Sequence, residues 1–171
     1  MSFNDNDRHQ LTDKRNFKEI SWILYALPLG ILFLVLGVIN FSSGVAILLF
    51  AIGLILWLPG VIIHYQYYMD NKGISVKISK ESKTIEVTTP TTTKTFQKGE
   101  IKEVLIVDSG INKFAWGQYG FARIEFKTGE IINLTNLMLD QLFIADNFSL
   151  DNLKVLKTET LIPTLDKKTR L

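Results

Sequence analysis

No Asp, Glu, Lys or Arg occurs between Glu19 and Asp70. All 19 basic and 17 acidic side chains of this 171-residue chain therefore lie in its two flanks. A soluble core does not gather its apolar residues in this way, whereas a membrane segment must. From Ile20 to Ile63 only Ser21, Tyr25 and the patch Asn40-Phe41-Ser42-Ser43-Gly44 interrupt the apolar run. One helical span needs about 20 residues, so the block is about twice too long for a single crossing. It divides into spans at 20–39 and 45–64, joined by turn formers that leave room only for an antiparallel hairpin. A cleaved signal peptide fits poorly, because the 19 residues before the first span are mixed in charge and the apolar run is too long.

Basic residues orient the pair. Arg8, Lys14, Arg15 and Lys18 precede it, Lys72, Lys77, Lys80 and Lys83 follow it, and the hairpin tip has none. The positive-inside rule then places both termini in the cytoplasm. Trp22, Tyr25 and Trp57 mark the cytoplasmic ends of the spans, where amphipathic rings favour the headgroup layer. Small residues recur at heptad spacing: Gly30 and Gly37 on the first span, Ala46, Gly53 and Gly60 on the second. The pairs Gly30/Gly53 and Gly37/Ala46 have equal index sums, so an antiparallel hairpin opposes them and lets the backbones approach closely. Pro28 and Pro59 are expected to kink the spans.

The remainder divides into a cytoplasmic tail (1–19), a β-rich domain (65–165) and a short C-terminal tail (166–171). Beyond Met69 the periodicity becomes two. Ile74, Val76 and Ile78 alternate with polar residues, and Ile85 and Val87 continue after a polar turn. Further strands are read at 92–96, 101–107, 121–127 and 131–134, the last two joined at Thr128-Gly129. A seventh fits 65–70. For the tail beyond Asn136, a helix capped at Ser149 is expected, with a strand across 155–160 as the open alternative. A fragment from about Tyr67 keeps every alternating strand and is expected to fold alone.

Three stretches carry a resemblance: Tyr67-Tyr68-Met69-Asp70-Asn71-Lys72-Gly73-Ile74, Gly99-Glu100-Ile101-Lys102-Glu103-Val104, and Trp116-Gly117-Gln118-Tyr119-Gly120 with Thr128-Gly129-Glu130. In this order, after a helix pair, they resemble bacterial pleckstrin-homology-like (PH-like) domain proteins with an N-terminal two-helix transmembrane hairpin. The resemblance implies an α+β membrane protein. Its hairpin is followed by a PH-like antiparallel β-barrel or sandwich, closed by the C-terminal helix. It also implies a multi-pass location in the cell inner membrane and a module that recruits protein partners or other copies of itself. Basic residues on the first hairpin of PH domains often bind phosphoinositides; Lys77, Lys80 and Lys83, with Lys72, are the matching candidates for anionic lipid here. No Arg accompanies them and Glu81 interrupts them.

Other chemistry finds little support. The charge is only +2, which does not point to nucleic acid, and the absence of cysteine rules out thiolate ligands and thiol nucleophiles. His9 and His64 are the only histidines. Nothing brings them together as metal ligands, and His64 is expected to snorkel at the membrane edge. Glu81, Glu86, Glu100, Glu103, Asp108, Glu125 and Glu130 fall in turns or on the polar phase of strands. No phosphate loop, nucleophile elbow or metal cluster is present in the sequence, so no catalytic residue and no cofactor is assigned and an enzyme is not expected. The Thr88–Thr93 run resembles a glycosylated stalk, but a β-hairpin is the better reading. The sequons at Asn40, Asn133 and Asn147 are discounted, being cytoplasmic or too near the bilayer.

Overall fold

The computed structural model describes residues 8–39, 44–79, 82–110, 116–139, 155–165, 169 and 171. Its first element is a three-residue strand, β1 (Arg8–Gln10), in the segment read as the N-terminal tail. Helix α1 (Asp13–Ile39) follows at once, and the Thr12 carbonyl accepts its first bond from the Asn16 N–H at 2.9 Å. Helix α2 (Gly44–Asn71) returns antiparallel to it. Both helices overrun the apolar spans at the same end of the hairpin, α1 by starting at Asp13 and α2 by ending at Asn71. The strand expected across 65–70 is therefore the end of α2. Gly73, at φ 77°, then turns the chain out of the helix.

The β strands follow: β2 (Ser75–Ser79), β3 (Thr84–Thr88), β4 (Thr93–Gln97), β5 (Ile101–Ser109), β6 (Gly120–Phe126), β7 (Ile131–Thr135) and β8 (Val155–Thr160). One sheet has the order β1-β2-β3-β4 and the other β7-β6-β5-β8. In the first, Val76 faces Val87 and Ile78 faces Ile85, the apolar phases expected from alternation. Thr89 Oγ1 accepts the Thr92 N–H at 3.0 Å and so turns the threonine run into the β3–β4 hairpin.

Two expectations are corrected. The domain is not a closed barrel: among the described strands, no ladder joins one sheet to the other. Nor is it purely antiparallel, because β8 lies parallel to β5, with Val104 opposite Val155 and Ser109 opposite Thr160. At 155–160 the open question of helix or strand is answered by strand, so the helix expected to present Leu156 from a cap at Ser149 does not extend there, and its start lies outside the described residues. A lone strand of mostly exposed residues gains its order from the β5 ladder, which no local pattern announces.

The main core lies between the sheets, built from Val76, Ile85, Val104, Ile124, Phe126 and Leu134 among others. Phe96 of β4 stacks on Phe126 of β6 with centroids 3.9 Å apart, joining the two layers. A second cluster sits where the helices meet the β unit, formed by Ile23, Ile63, Tyr67, Tyr119, Phe121 and Leu137. Burying a side chain of Tyr67's size contributes about 1.5–3 kcal/mol, so this junction is a core in its own right.

The topology is the main result here. The helical pair is not appended in front of the β domain. It is inserted between β1 and β2, adjacent antiparallel strands in which His9 faces Val76.

Candidate functional site

Helix α2 enters the β domain through two adjacent polar residues at its end. Asn71 is fully buried. Its Nδ2 donates to the Asn133 carbonyl at 3.1 Å, while its Oδ1 accepts from both the Thr135 hydroxyl and the Thr135 N–H. Asp70 accepts from the Thr169 N–H at 3.1 Å and the Thr169 hydroxyl at 3.0 Å, and from Asn133 Nδ2 at 3.2 Å. These bonds tie the end of α2 to β7 and to the C-terminal segment. Buried polar groups satisfied to this degree fix one geometry, because any other leaves several of them unpaired.

One turn further back, Tyr67 donates to the Pro163 carbonyl at 2.7 Å and packs edge-on against Tyr119 and Phe121. His64 Nδ1 lies 2.8 Å from the Tyr119 hydroxyl. Expected to snorkel at an interface, His64 is instead buried, because the β domain covers the side of α2 that carries it. Burial, and then the charge of Glu19, hold the Tyr119 phenol well above its ordinary range, so it is a neutral hydrogen-bonding group at any physiological pH.

Two cavities open at this junction. One, of about 480 Å³, runs between α1 and α2 and is lined by Ile20, Ile23, Leu27, Trp57, Val61 and His64 among others. The other, of about 290 Å³, lies among β1, the end of α2 and the start of β2, with Gln10, Lys72 and Ser75 in its wall. Asn16 and Tyr68 line both, so the apolar and polar spaces meet at these two side chains.

The lysines singled out in the sequence stand at different places in the fold. Lys72 stands at the polar cavity, its Nζ 5.8 Å from the centre of the Tyr68 ring. Lys77 is mid-strand in β2, in register with Arg8 on one side and Glu86 on the other. Lys83 lies in the β2–β3 turn at φ 52°, and Lys80 lies outside the described residues. The small residues face one another across the hairpin. A methyl group on Gly53 would come 2.9 Å from the Gly30 carbonyl oxygen, and one on Gly37 would come 3.1 Å from that of Ala46. Gly60 packs on Ile23 in the same seam. Among the described residues no cluster of His, Asp and Glu is arranged to hold a metal.

Sequence reading missed Asn16, Asn71, Asn133 and Tyr119. Asn71 and Asn133 are polar residues at positions where a helix end and an interior strand both call for burial. That conflict is visible only once the pairing is known.

The architecture thus defines a β unit of two packed sheets with a long apolar helical hairpin inserted after its first short strand. The chain belongs to the PH domain family, whose family model matches residues 8–146. That match begins at Arg8, the first residue of β1, and runs through both helices. No curated protein matches the sequence. No solved structure matches it either.

Proposed function

We propose that this chain is a membrane-anchored PH-domain interaction module. Its helical pair crosses the bilayer twice with both ends in the cytoplasm. The β unit is held at the cytoplasmic face, where it recruits a protein partner or another copy of itself. The observation that carries this reading is the insertion of the hairpin between β1 and β2. A domain built around its own anchor is not tethered by a flexible linker, so its interaction surfaces keep a fixed distance and attitude to the membrane.

The helices support the anchoring. Only 18% of the most apolar window of α1 and 22% of that of α2 is buried, whereas the core helices of a soluble protein would be mostly covered. Leu29, Leu32, Val35, Ile47, Leu48 and Ile55 all face outward. The β unit supports the recruiting role. Strand β8 is the edge of its sheet among the described strands. Outside the helices, the large apolar side chains exposed among the described residues are Leu156, Leu161 and Ile162, in and just after this strand. Open edges of this kind accept a further strand.

The test is labelling of single cysteines in intact cells. A cysteine at Ser43 should react with an impermeant reagent from outside, while one at the exposed Thr91 should react only after permeabilisation. Outside labelling at Thr91 would overturn the orientation. Photocrosslinking from Leu156 would then identify the partner, and a chain giving no adduct there would recruit through another surface.

A further inference from the structure

We propose that the junction cleft binds one phospholipid of the cytoplasmic leaflet, its acyl chain between α1 and α2 and its phosphodiester headgroup against Lys72. This rests on the membrane-anchored reading above.

The two cavities adjoin, one apolar and one polar, with Asn16 and Tyr68 in both walls. The interhelical part is walled by aliphatic and aromatic side chains, and the part beside β1 by Gln10, Asn16, Lys72 and Ser75. Together they fall within the range of about 300–1,000 Å³ typical of small-molecule sites. Their order along the hairpin matches the order of a lipid in a leaflet. Leu27 and Trp57 lie inside the apolar spans, Ile20 and His64 at their ends, and Asn16, Tyr68 and Lys72 beyond them. At 1.5 Å per residue the step from His64 to Lys72 is about 12 Å, on the scale of the headgroup layer.

Charge selects the headgroup. Among the described residues that line the polar cavity, Lys72 is the one charged side chain. At the constriction, the Asn16 Oδ1 is buried and accepts no hydrogen bond from the protein. A headgroup that presents a phosphate to Lys72 and a hydroxyl donor to Asn16 satisfies both, which is the chemistry of phosphatidylglycerol rather than phosphatidylcholine. Lys77 and Lys83 take no part in this wall, so the site is separate from the basic β2–β3 hairpin.

The experiment uses the full-length chain, first washed in membranes with alkaline carbonate and then purified in detergent and titrated with lipid under native mass spectrometry. Release by carbonate would sink the anchored reading itself. With the chain retained, phosphatidylglycerol should give a saturable one-to-one adduct stronger than that of phosphatidylcholine. Lys72→Gln should weaken it about fivefold, the effect of one basic residue near anionic lipid. Val61→Trp should block the apolar half, and Lys83→Gln should change nothing. Adducts that never saturate and ignore Lys72→Gln would mean annular lipid only and overturn the site. Glycerol phosphate binding as well as the intact lipid would also overturn it, by showing an anion pocket that needs no chain.

Discussion

The carboxylate of Asp70, on the last turn of α2, holds both the backbone N–H and the hydroxyl of Thr169, 99 residues further along the chain. Thr169 Oγ1 in turn accepts the Asn133 N–H at 3.1 Å, so helix, sheet and C-terminal segment meet at one side chain. The end of the anchor is thereby also a structural centre of the β unit. Movement of α2 relative to the sheets has to break this cluster.

Substitution of the neighbouring Asn71 should be among the most damaging changes outside the sheet core. Asn71→Ala removes the partner of the Thr135 hydroxyl and leaves the Asn133 carbonyl without its donor, all in buried surroundings. Unsatisfied groups of this kind cost about 1–3 kcal/mol each. The variant should melt several degrees lower in detergent and be cut faster by protease within the β unit, whereas exposed Lys83→Ala should match the parent. Equal melting of the two variants would show that the cluster contributes nothing.

An ion pair gives the two sheets a mild dependence on pH. Lys94 on β4 bonds to Glu130, which precedes β7 in the other sheet. The hydrogen bond from Lys94, and then that from Thr128, hold the Glu130 carboxyl below its ordinary range. A carboxylate depressed on folding stabilises the folded state above its unfolded pKa, and this contribution is lost as pH falls through the depressed folded value. Both side chains are partly exposed, so the pair is worth at most about 1 kcal/mol. Glu130→Gln should lower stability at neutral pH by up to about 1 kcal/mol and flatten the acid side of the profile below about pH 4.5, where variant and parent converge. An unchanged acid profile would remove Glu130 from the account.

Hydropathy marks where apolar residues run, not where a helix ends. The 20–39 and 45–64 limits therefore miss the polar turns that carry α1 back to Asp13 and α2 on to Asn71. Alternation and turn residues made β2 to β7 legible, although β7 is buried along its whole length. Strand β1 is Arg-His-Gln, with no apolar phase at all, and its order comes wholly from pairing with β2 across the inserted helices. The exposed run of β8 is similarly silent. The cleft was illegible for the same reason: its walls come from α1, α2, β1 and β2, and no local spacing of Asn16, Tyr68 and Lys72 suggests that they meet.

The helix seam predicts an asymmetry between bulk added and bulk removed. At Gly53 any side chain would meet the Gly30 carbonyl and Leu34 Cγ, both at 2.9 Å, and backbone cannot move aside as a flexible side chain can. Gly53→Leu should therefore splay the hairpin and lower the yield of folded protein. Leu54→Ala, next in sequence, removes bulk without forcing the backbones apart and should be tolerated. Matching protease sensitivity in the two variants would mean that close approach does not hold the helices together.

The inserted topology makes its sharpest prediction about the isolated β unit. A chain of residues 67–171 keeps β2 to β8, Tyr67 and the Asp70–Asn71 cluster, yet it lacks Arg8–Gln10. Strand β2 then becomes an edge over 75–77, where His9 had faced Val76. An unprotected edge next to a buried apolar phase is a template for another chain. We expect this fragment to self-associate in a concentration-dependent way. The same fragment preceded by residues 8–12 and a flexible linker should stay monomeric, because β1 again covers the edge. Size-exclusion chromatography with light scattering distinguishes the two outcomes. Monomeric behaviour of both chains, with equal melting temperatures, would show that the β unit is complete without β1 and that the hairpin is attached to the domain rather than built into it.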